Sequence, residues 1–309
     1  MSTVVVRGCG AVSPAGWGVP PLLHALQGVE PVTVQTVQGP GGALTYQART
    51  VPAPATRPSW MAHPRLRRAS AISQFALAAT LEALESCAAF SAGSTRLGIV
   101  TGTHAACLRY SERFYAEVLR DPPTASPMLF PETVINAPAS HLATFLGGAA
   151  MTYSLMGDQT AFVQALVIAA EWLLDDRADL CLVVGAEETA WSVADALRRF
   201  GRGLTTSEGA GAIVLAREST TRSSVRLERI TDAHLYVGHP TKHAAAKAMR
   251  QDFPGEGPHE LLVDARCGVP RIDQAETAAW QDWSGLRISP RAVLGEGLSA
   301  ATAWQCVAA

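Results

Sequence analysis

Gly157-Asp158-Gln159 separates two runs of different period. Before it, Ala149 to Met156 reads as an extended apolar segment. After it, Phe162, Ala165, Leu166, Ala169 and Leu173 recur at helical spacing. A strand, a tight turn and a helix set the turn residue at a helix N-terminus. Backbone N–H groups there can stabilise an oxyanion, and many enzymes present a nucleophile at such a place. The residue at this tip is Gln159, and a carboxamide cannot attack a thioester. Two readings follow. Gln159 is a polar turn residue at a helix start, or it is a plug whose amide oxygen accepts from the N–H groups that would have held an acyl oxyanion.

Other residue types with chemical capacity give weaker patterns. The six cysteines (9, 87, 107, 181, 267 and 306) lie in apolar contexts without CxxC or Cys/His spacing. They read as reduced core residues of a cytosolic protein, not as a zinc site or a disulfide framework. No metal site and no cofactor is expected. Cys267 reads as a small core residue. Asp232 and His234 in "TDAH" could form an acid/base pair, but the segment reads as a turn. His104 and His141 read as helix or loop residues.

Net charge is −2 and charged residues are 17% of the chain, which leaves no basic field for nucleic acid or an anionic membrane. With 48% apolar residues a sizeable core is expected. The longest apolar stretches, such as 165–170 and 180–186, are too short to span a bilayer. "MSTVVVRGCGAVSPAG" lacks the form of a signal peptide, so a cytoplasmic location is expected.

The elements that must position these residues alternate. The sequence predicts a β-rich run over "STVVVRGCGAVS", a helix over 20–28 and a loop over 31–66. A helix follows over 70–87, a strand over 96–103, an amphipathic helix over 108–121 and a short helix over 138–148. Strands are predicted at "ADLCLVVGAEE" (178–188) and "GLTTSEGAGAIVLARES" (203–219). The last third reads as strand "VRLERITDAHLY", helix "KHAAAKAMRQDF", strand "ELLVDARCG" and helix "DQAETAAWQDW". Alternating strands and helices in two similar passes imply an α/β fold made of two halves of one layered structure.

Taken together, these stretches resemble the β-ketoacyl synthase family of the thiolase fold. "VVVRGCGAVSPAG", "SAISQFALAATLEAL", "RLGIVTGT", "INAPASHLATFLG", "ADLCLVVGAEE" and "SEGAGAIVLARE" match family blocks in order over residues 4–216. "ARCGVPRIDQAE" and "RAVLGEGLSAAT" match its "HGT" and "GH" blocks more weakly. The resemblance implies a layered α-β-α-β-α fold with a complete N-terminal half (1–216) and an abbreviated C-terminal half (217–309). Family members continue past the "GH" helix, and the shortened half is expected to leave a sheet edge that needs covering.

In that register the nucleophilic cysteine falls on Gln159, the two histidines on Ala265 and Glu296, and the lysine on Arg291. The resembled enzymes carry the acyl chain on the cysteine and decarboxylate malonyl thioester with the histidines. The losses imply a silent subunit resembling a chain-length factor of a type II polyketide or polyene synthase. Its partners would be an active ketosynthase and an acyl carrier protein. A malonyl-carrier-protein decarboxylase of the glutamine-site type and a stabilising scaffold are the alternatives. Glu296 and Arg291 are expected to form a structural ion pair. The resemblance also implies that Met151, Thr152, Tyr153, Ser154, Leu155 and Met156 form the interface strand. It further implies that Leu108, Ser111 and Tyr115, on one helix face, line the partner's acyl tunnel, the alternative being that this face packs in the core. The basic run Arg65, Arg67 and Arg68 reads as a solvated helix entrance, or as a dock for an acidic carrier protein.

Overall fold

The computed structural model describes the chain except residues 1–2, 29–31, 40–41, 43–44, 65, 67, 88–89, 91–94, 148–150, 219–224, 254 and 256–258. In chain order the elements begin with β1 (Val4–Ser13), β2 (Gly16–Trp17), α1 (Val19–Leu26), β3 (Gln35–Gln38), β4 (Thr45–Arg49) and α2 (Ala71–Glu85). There follow β5 (Leu97–Thr103), α3 (Leu108–Arg120), α4 (Ala137–Phe145), β6 (Met151–Met156), α5 (Ala161–Leu174), β7 (Leu180–Glu187) and α6 (Trp191–Phe200). The chain continues with β8 (Thr206–Ser207), β9 (Gly209–Arg217), β10 (Arg226–Leu227), α7 (Gly238–Asp252) and β11 (Leu261–Val263). The last elements are α8 (Pro270–Ala279), β12 (Leu286–Ile288), α9 (Pro290–Leu294) and α10 (Leu298–Ala308).

Strands buried on both faces need no alternation, and β5, β7 and most of β9 are buried at every position. They form the centre of a mixed sheet ordered β10-β1-β9-β7-β5-β6, with β2 paired to β1. β5 runs parallel to β6 and β7, whereas β9 runs antiparallel to β7 and β1. On one face α2 supplies Ile72, Phe75, Ala76 and Ala79 to a core shared with Leu97, Leu182 and Val214. A Cβ on Gly10 would stand 2.0 Å from the Ala79 carbonyl oxygen, so glycine there lets α2 lie directly on β1. On the other face α5 contributes Phe162, Ala165, Leu166 and Ala169, and α10 adds Ala303. α10 in turn touches β11, which pairs in parallel with β12, and α7 packs on α8. Helices, the large sheet, α5 with α10, a small sheet and a last helix pair give the expected layers.

Three expectations need correction. Residues 35–49, read as loop, contain the hairpin β3–β4, and β4 continues in parallel to β8. Its strands are polar, with Gln47 Nε2 donating to Thr36 Oγ1 at 2.9 Å, and within β4 only Ala48 is buried. Ladder bonds and cross-strand polar pairs hold it, so no apolar alternation signals it. The strand read over 225–236 shrinks to Arg226–Leu227, and Leu235 and Val237 are exposed. α6, absent from the sequence reading, buries only Ala194 and is laced by Asp195 to Arg198 and Arg199.

Trp304, on α10, packs in a core with Ala11, Leu22 and Leu294. It is fully buried, and its indole N–H donates to the carbonyl oxygens of Val12 and Ala210, both at 3.0 Å. Trp304→Ala should therefore cost about 3–5 kcal/mol, the range for large aromatic core truncations, and lower the urea midpoint measured by tryptophan fluorescence or circular dichroism.

Candidate functional site

β6 sits at the end of the large sheet with β5 as its one neighbour, and the chain turns from it at Gly157. The Gly157 N–H donates to Thr103 O at 3.0 Å, and His104 Nδ1 bonds the Gly157 carbonyl at 2.7 Å. Asp158 closes the turn as an Asx turn: its Oδ1 accepts from Thr160 N at 2.8 Å and from Thr160 Oγ1 at 2.6 Å, just before α5 begins. Gln159 is left half-buried between these anchors. Its backbone carbonyl accepts from Thr302 Oγ1 at 2.7 Å.

Opposite lies the loop between α9 and α10. Gly295 has φ 93°, and a Cβ there would stand 2.9 Å from Thr205 O, so the loop requires glycine. Glu296 N donates to Thr205 O at 2.8 Å and Ser207 N to Glu296 O at 2.9 Å, which fixes the loop to β8. The Glu296 side chain is thereby held in the interior, where the residue is 1% exposed. Its Oε1 accepts from Leu298 N at 2.9 Å, and its Oε2 accepts from Arg291 Nη2 and from Gln159 Nε2, the latter at 3.1 Å. Arg291 Nη1 donates to Ala265 O at 2.9 Å. Burial opposes the Arg291 charge, but the adjacent Glu296 outweighs it and holds the guanidinium above its ordinary pKa.

The structure thus brings Gln159, Ala265, Arg291 and Glu296 into one locus, although they are up to 137 positions apart. Glu296 and Arg291 form the ion pair. The Gln159 amide does not turn its oxygen to the helix N–H groups. It donates through nitrogen to a carboxylate, which can only accept. Among the described residues no histidine or cysteine hydrogen-bonds Gln159, Arg291 or Glu296. Cys267 Sγ donates to Asp273 Oδ1 at 3.1 Å, and burial together with that bond pushes its pKa up to about 11, so it stays a thiol. His141 pairs with Glu132 at 2.8 Å and His234 with Asp252 at 2.7 Å, not with Asp232. Cys107 and Cys181 are buried in the core, whereas Cys9, Cys267 and Cys306 are half-buried.

The helix face Leu108, Ser111 and Tyr115 lies away from this locus. Ser111 Oγ donates to Cys107 O at 3.1 Å, and Tyr115 is 63% exposed. No residue of α3 is buried, so this face does not pack in the core of the chain. Phe114 of α3 meets Phe130 at 5.8 Å, and Leu119, Met128, Phe130 and Ile135 are exposed, as are Tyr153 and Met156 on β6. Of the basic run, Arg68 is exposed, while Arg65 and Arg67 lie outside the described residues.

The sequence reading missed a set of buried carboxylates. Glu187 accepts from the backbone N–H groups of His104 and Ala105. Glu188 accepts from Arg109 N at 3.0 Å and Ile72 N at 3.4 Å, and so serves the first turns of α3 and α2 together. Glu208 accepts from Val51 N and Thr189 N, and Glu132 from Ser70 N. The signal was present as "GAEE" and "SEGAG", acidic residues directly against apolar strand runs.

A family model described as "Beta-ketoacyl synthase, N-terminal domain" matches residues 55–221, more than half of the chain. The chain belongs to the β-ketoacyl synthase family. Solved structures agree on the fold. One described as the ishigamide ketosynthase/chain length factor superposes with a TM-score of 0.76 at 20% identity, covering 99% of this chain and 90% of that one. A second, described as a type II polyketide synthase acyl-carrier protein in complex with its ketosynthase bound to the hexaketide, gives 0.79 at 18% identity, covering 100% and 90%. A β-ketoacyl synthase from Burkholderia phymatum STM815 gives 0.76 at 17% identity, covering 99% and 86%. The ketosynthase fold, thiolase-like in its layers, is therefore that of this chain. A comparison with curated protein sequences gave no match.

The buried glutamates predict a pH dependence. Burial raises the Glu187 carboxyl to about 8 and that of Glu188 to about 7, from an ordinary value of 4.5. Between the unfolded and folded values the folded chain binds more protons, so its stability is greatest below the unfolded value and is lost as pH rises through the folded ones. The unfolding free energy from urea titration should fall between about pH 5 and about pH 8, by at most about 1.4 kcal/mol per pH unit for each group. Glu187→Gln, which keeps an acceptor for the two N–H groups, should flatten that slope.

Proposed function

We propose that this chain is a catalytically silent ketosynthase-like subunit. It pairs with an active ketosynthase and helps shape the acyl tunnel, the role of a chain-length factor in a type II polyketide or polyene synthase. The observation that carries this reading is the occupied locus. A carboxamide stands at the head of α5, bound to a buried carboxylate–guanidinium pair. Acyl transfer needs a thiolate there, and decarboxylation needs donors free to polarise a thioester carbonyl. Gln159 offers no nucleophile, and the Glu296 carboxylate beside it can only accept hydrogen bonds, so it gives an enolate oxygen no donor. These residues support the reading of a silent subunit.

The same reading assigns β6, Met151–Met156, to the subunit interface. It is an edge strand with two exposed apolar side chains, and the apolar surface around Tyr115 and Phe130 would be covered by the same partner. The acyl carrier protein is the second partner, as in the solved complex of similar fold.

Co-expression with its cognate ketosynthase should yield a soluble 1:1 complex, judged by light scattering after size exclusion. A stable monodisperse monomer from expression alone would count against the pairing. Within the complex, Gln159→Cys should not make this subunit self-acylating, read by intact-protein mass spectrometry with acyl-carrier protein. The new thiol would face the Glu296 carboxylate, which opposes a thiolate. Carbon dioxide release from malonyl-carrier protein by the purified chain, abolished in Gln159→Ala, would overturn silence in favour of a decarboxylase.

Leu108 and Tyr115 are proposed to close the far end of the partner's tunnel, with Ser111 between them. Leu108→Ala or Tyr115→Ala should leave the complex intact and shift carrier-bound products toward longer chains by mass spectrometry. An intact variant complex with an unchanged product distribution would remove these residues from the gate.

A further inference from the structure

A cavity of about 870 Å³ opens between the segment 226–229, the end of α7, β11 and the end of α8. It is separate from the surface around α3 and from the Gln159 amide, yet its lining includes Ala265, the residue whose carbonyl Arg291 holds. Its volume lies in the range of sites for small organic ligands. The middle of the cavity is apolar and ring-lined. Trp280 and Trp283 meet edge to face at 5.8 Å; Phe253, whose ring lies 5.9 Å from the Arg229 guanidinium, and Leu261 and Val263 of β11 also line it. The arrangement is supported from outside: the Arg250 guanidinium stacks on Trp280 at 4.8 Å, and the Trp283 indole N–H donates to Leu286 O at 3.1 Å.

The inner end is polar. Glu276 Oε1 accepts from Ala265 N at 2.8 Å, and Gln305 Nε2 donates to Asp264 O at 2.6 Å. That leaves Glu276 Oε2 and Gln305 Oε1 without a protein partner among the described residues. Burial raises the Glu276 carboxyl above its ordinary range. An anion at this end would meet Glu276 and the nearby Asp264; a cation would meet the fields of Arg291 and Arg287. At the rim, Arg226 pairs with Glu218 at 2.9 Å and Asp252 with His234 at 2.7 Å, while Arg229 donates to the Asp252 carbonyl at 2.8 Å and Glu228 precedes it in the lining. Charges of both signs stand at each end, so neither presents a field of one sign that would hold an ion.

We infer that this cavity is a binding site for an uncharged molecule with a flat, apolar body and one hydrogen-bonding end, a hydroxyl or carboxamide. The body lies against the tryptophans and Phe253. The polar end reaches Glu276 and Gln305. A ligand seated there touches the turn that Arg291 ties to Glu296 and Gln159, so occupancy is felt at the vestigial locus through Ala265.

Retinol, a flat conjugated alcohol, is a suitable probe, with retinoic acid as its anionic counterpart. Both are titrated into the purified protein, alone or in its subunit complex, and ligand fluorescence or equilibrium dialysis reads binding. Saturable binding of one retinol per chain is expected, with retinoic acid at least tenfold weaker. Ala265→Leu, which fills the inner end, and Trp283→Ala, which removes half of the ring pair, should each weaken retinol at least tenfold. Tyr115→Ala should leave binding unchanged. Circular dichroism establishes that each variant is folded, and either folded cavity variant suffices for the test. Absence of saturable binding, equal affinity for the acid, or unaltered binding in a folded cavity variant would overturn the assignment.

Discussion

One buried carboxylate organises the molecule where its parts meet. Glu296 receives a guanidinium, a carboxamide and a backbone N–H, while its own backbone is stitched to Thr205 and Ser207. Through Arg291 the connection extends to Ala265, in the turn between β11 and α8. The head of α5, β8, the loop before α10 and the turn beyond β11 are therefore fixed to one another by one residue and its ion-pair partner. Such a pair does little for net stability compared with a well-packed apolar substitute, because both charges lose their hydration. Removing one partner is another matter, costing about 3–5 kcal/mol, since the other charge remains buried and uncompensated. The pair acts as a constraint on register. Arg291 Nε, buried without a partner, shows that the register is kept at a cost in satisfied hydrogen bonds.

The same solution recurs through the fold in milder form. Helices α2, α3 and α5 begin without a side-chain bond from their own cap residue. A distant carboxylate serves the first two instead, Glu188 reaching both Ile72 N and Arg109 N, whereas Asp158 orders the turn just before the third. Acidic residues at the end of β7 thus place helix starts relative to the sheet. The helix N-terminus favours negative charge, which offsets part of the cost of burying it.

Legibility in the sequence followed the source of each element's stability. α2, α5, β5 and β7 draw theirs from apolar burial, and their periodicity was plain. β3 and β4 draw theirs from a ladder and polar pairs, and α6 from ion pairs along its exposed face, so neither left an apolar pattern. The segment 225–236 had the alternation of a strand but pairs only at Arg226 and Leu227, because alternation says what a strand would bury and not whether a neighbouring strand is present. At the site, the register implied by the family resemblance was enough to bring Gln159, Ala265, Arg291 and Glu296 to one place. The direction of the Gln159 amide was not legible, because it depends on a carboxylate 137 positions away whose orientation is set by a loop glycine.

α3 has thirteen residues, and none of them is buried. A side-chain change on α5 disturbs a packed interior and is felt as lost folding free energy. A change on the outer face of α3 alters little that this chain relies on to fold. Variation there is nearly neutral for the folded state, so that surface can diverge among descendants at a pace the core cannot match. The fold thereby separates what must be preserved from what is free to drift, and assigns the freedom to a helix facing outward.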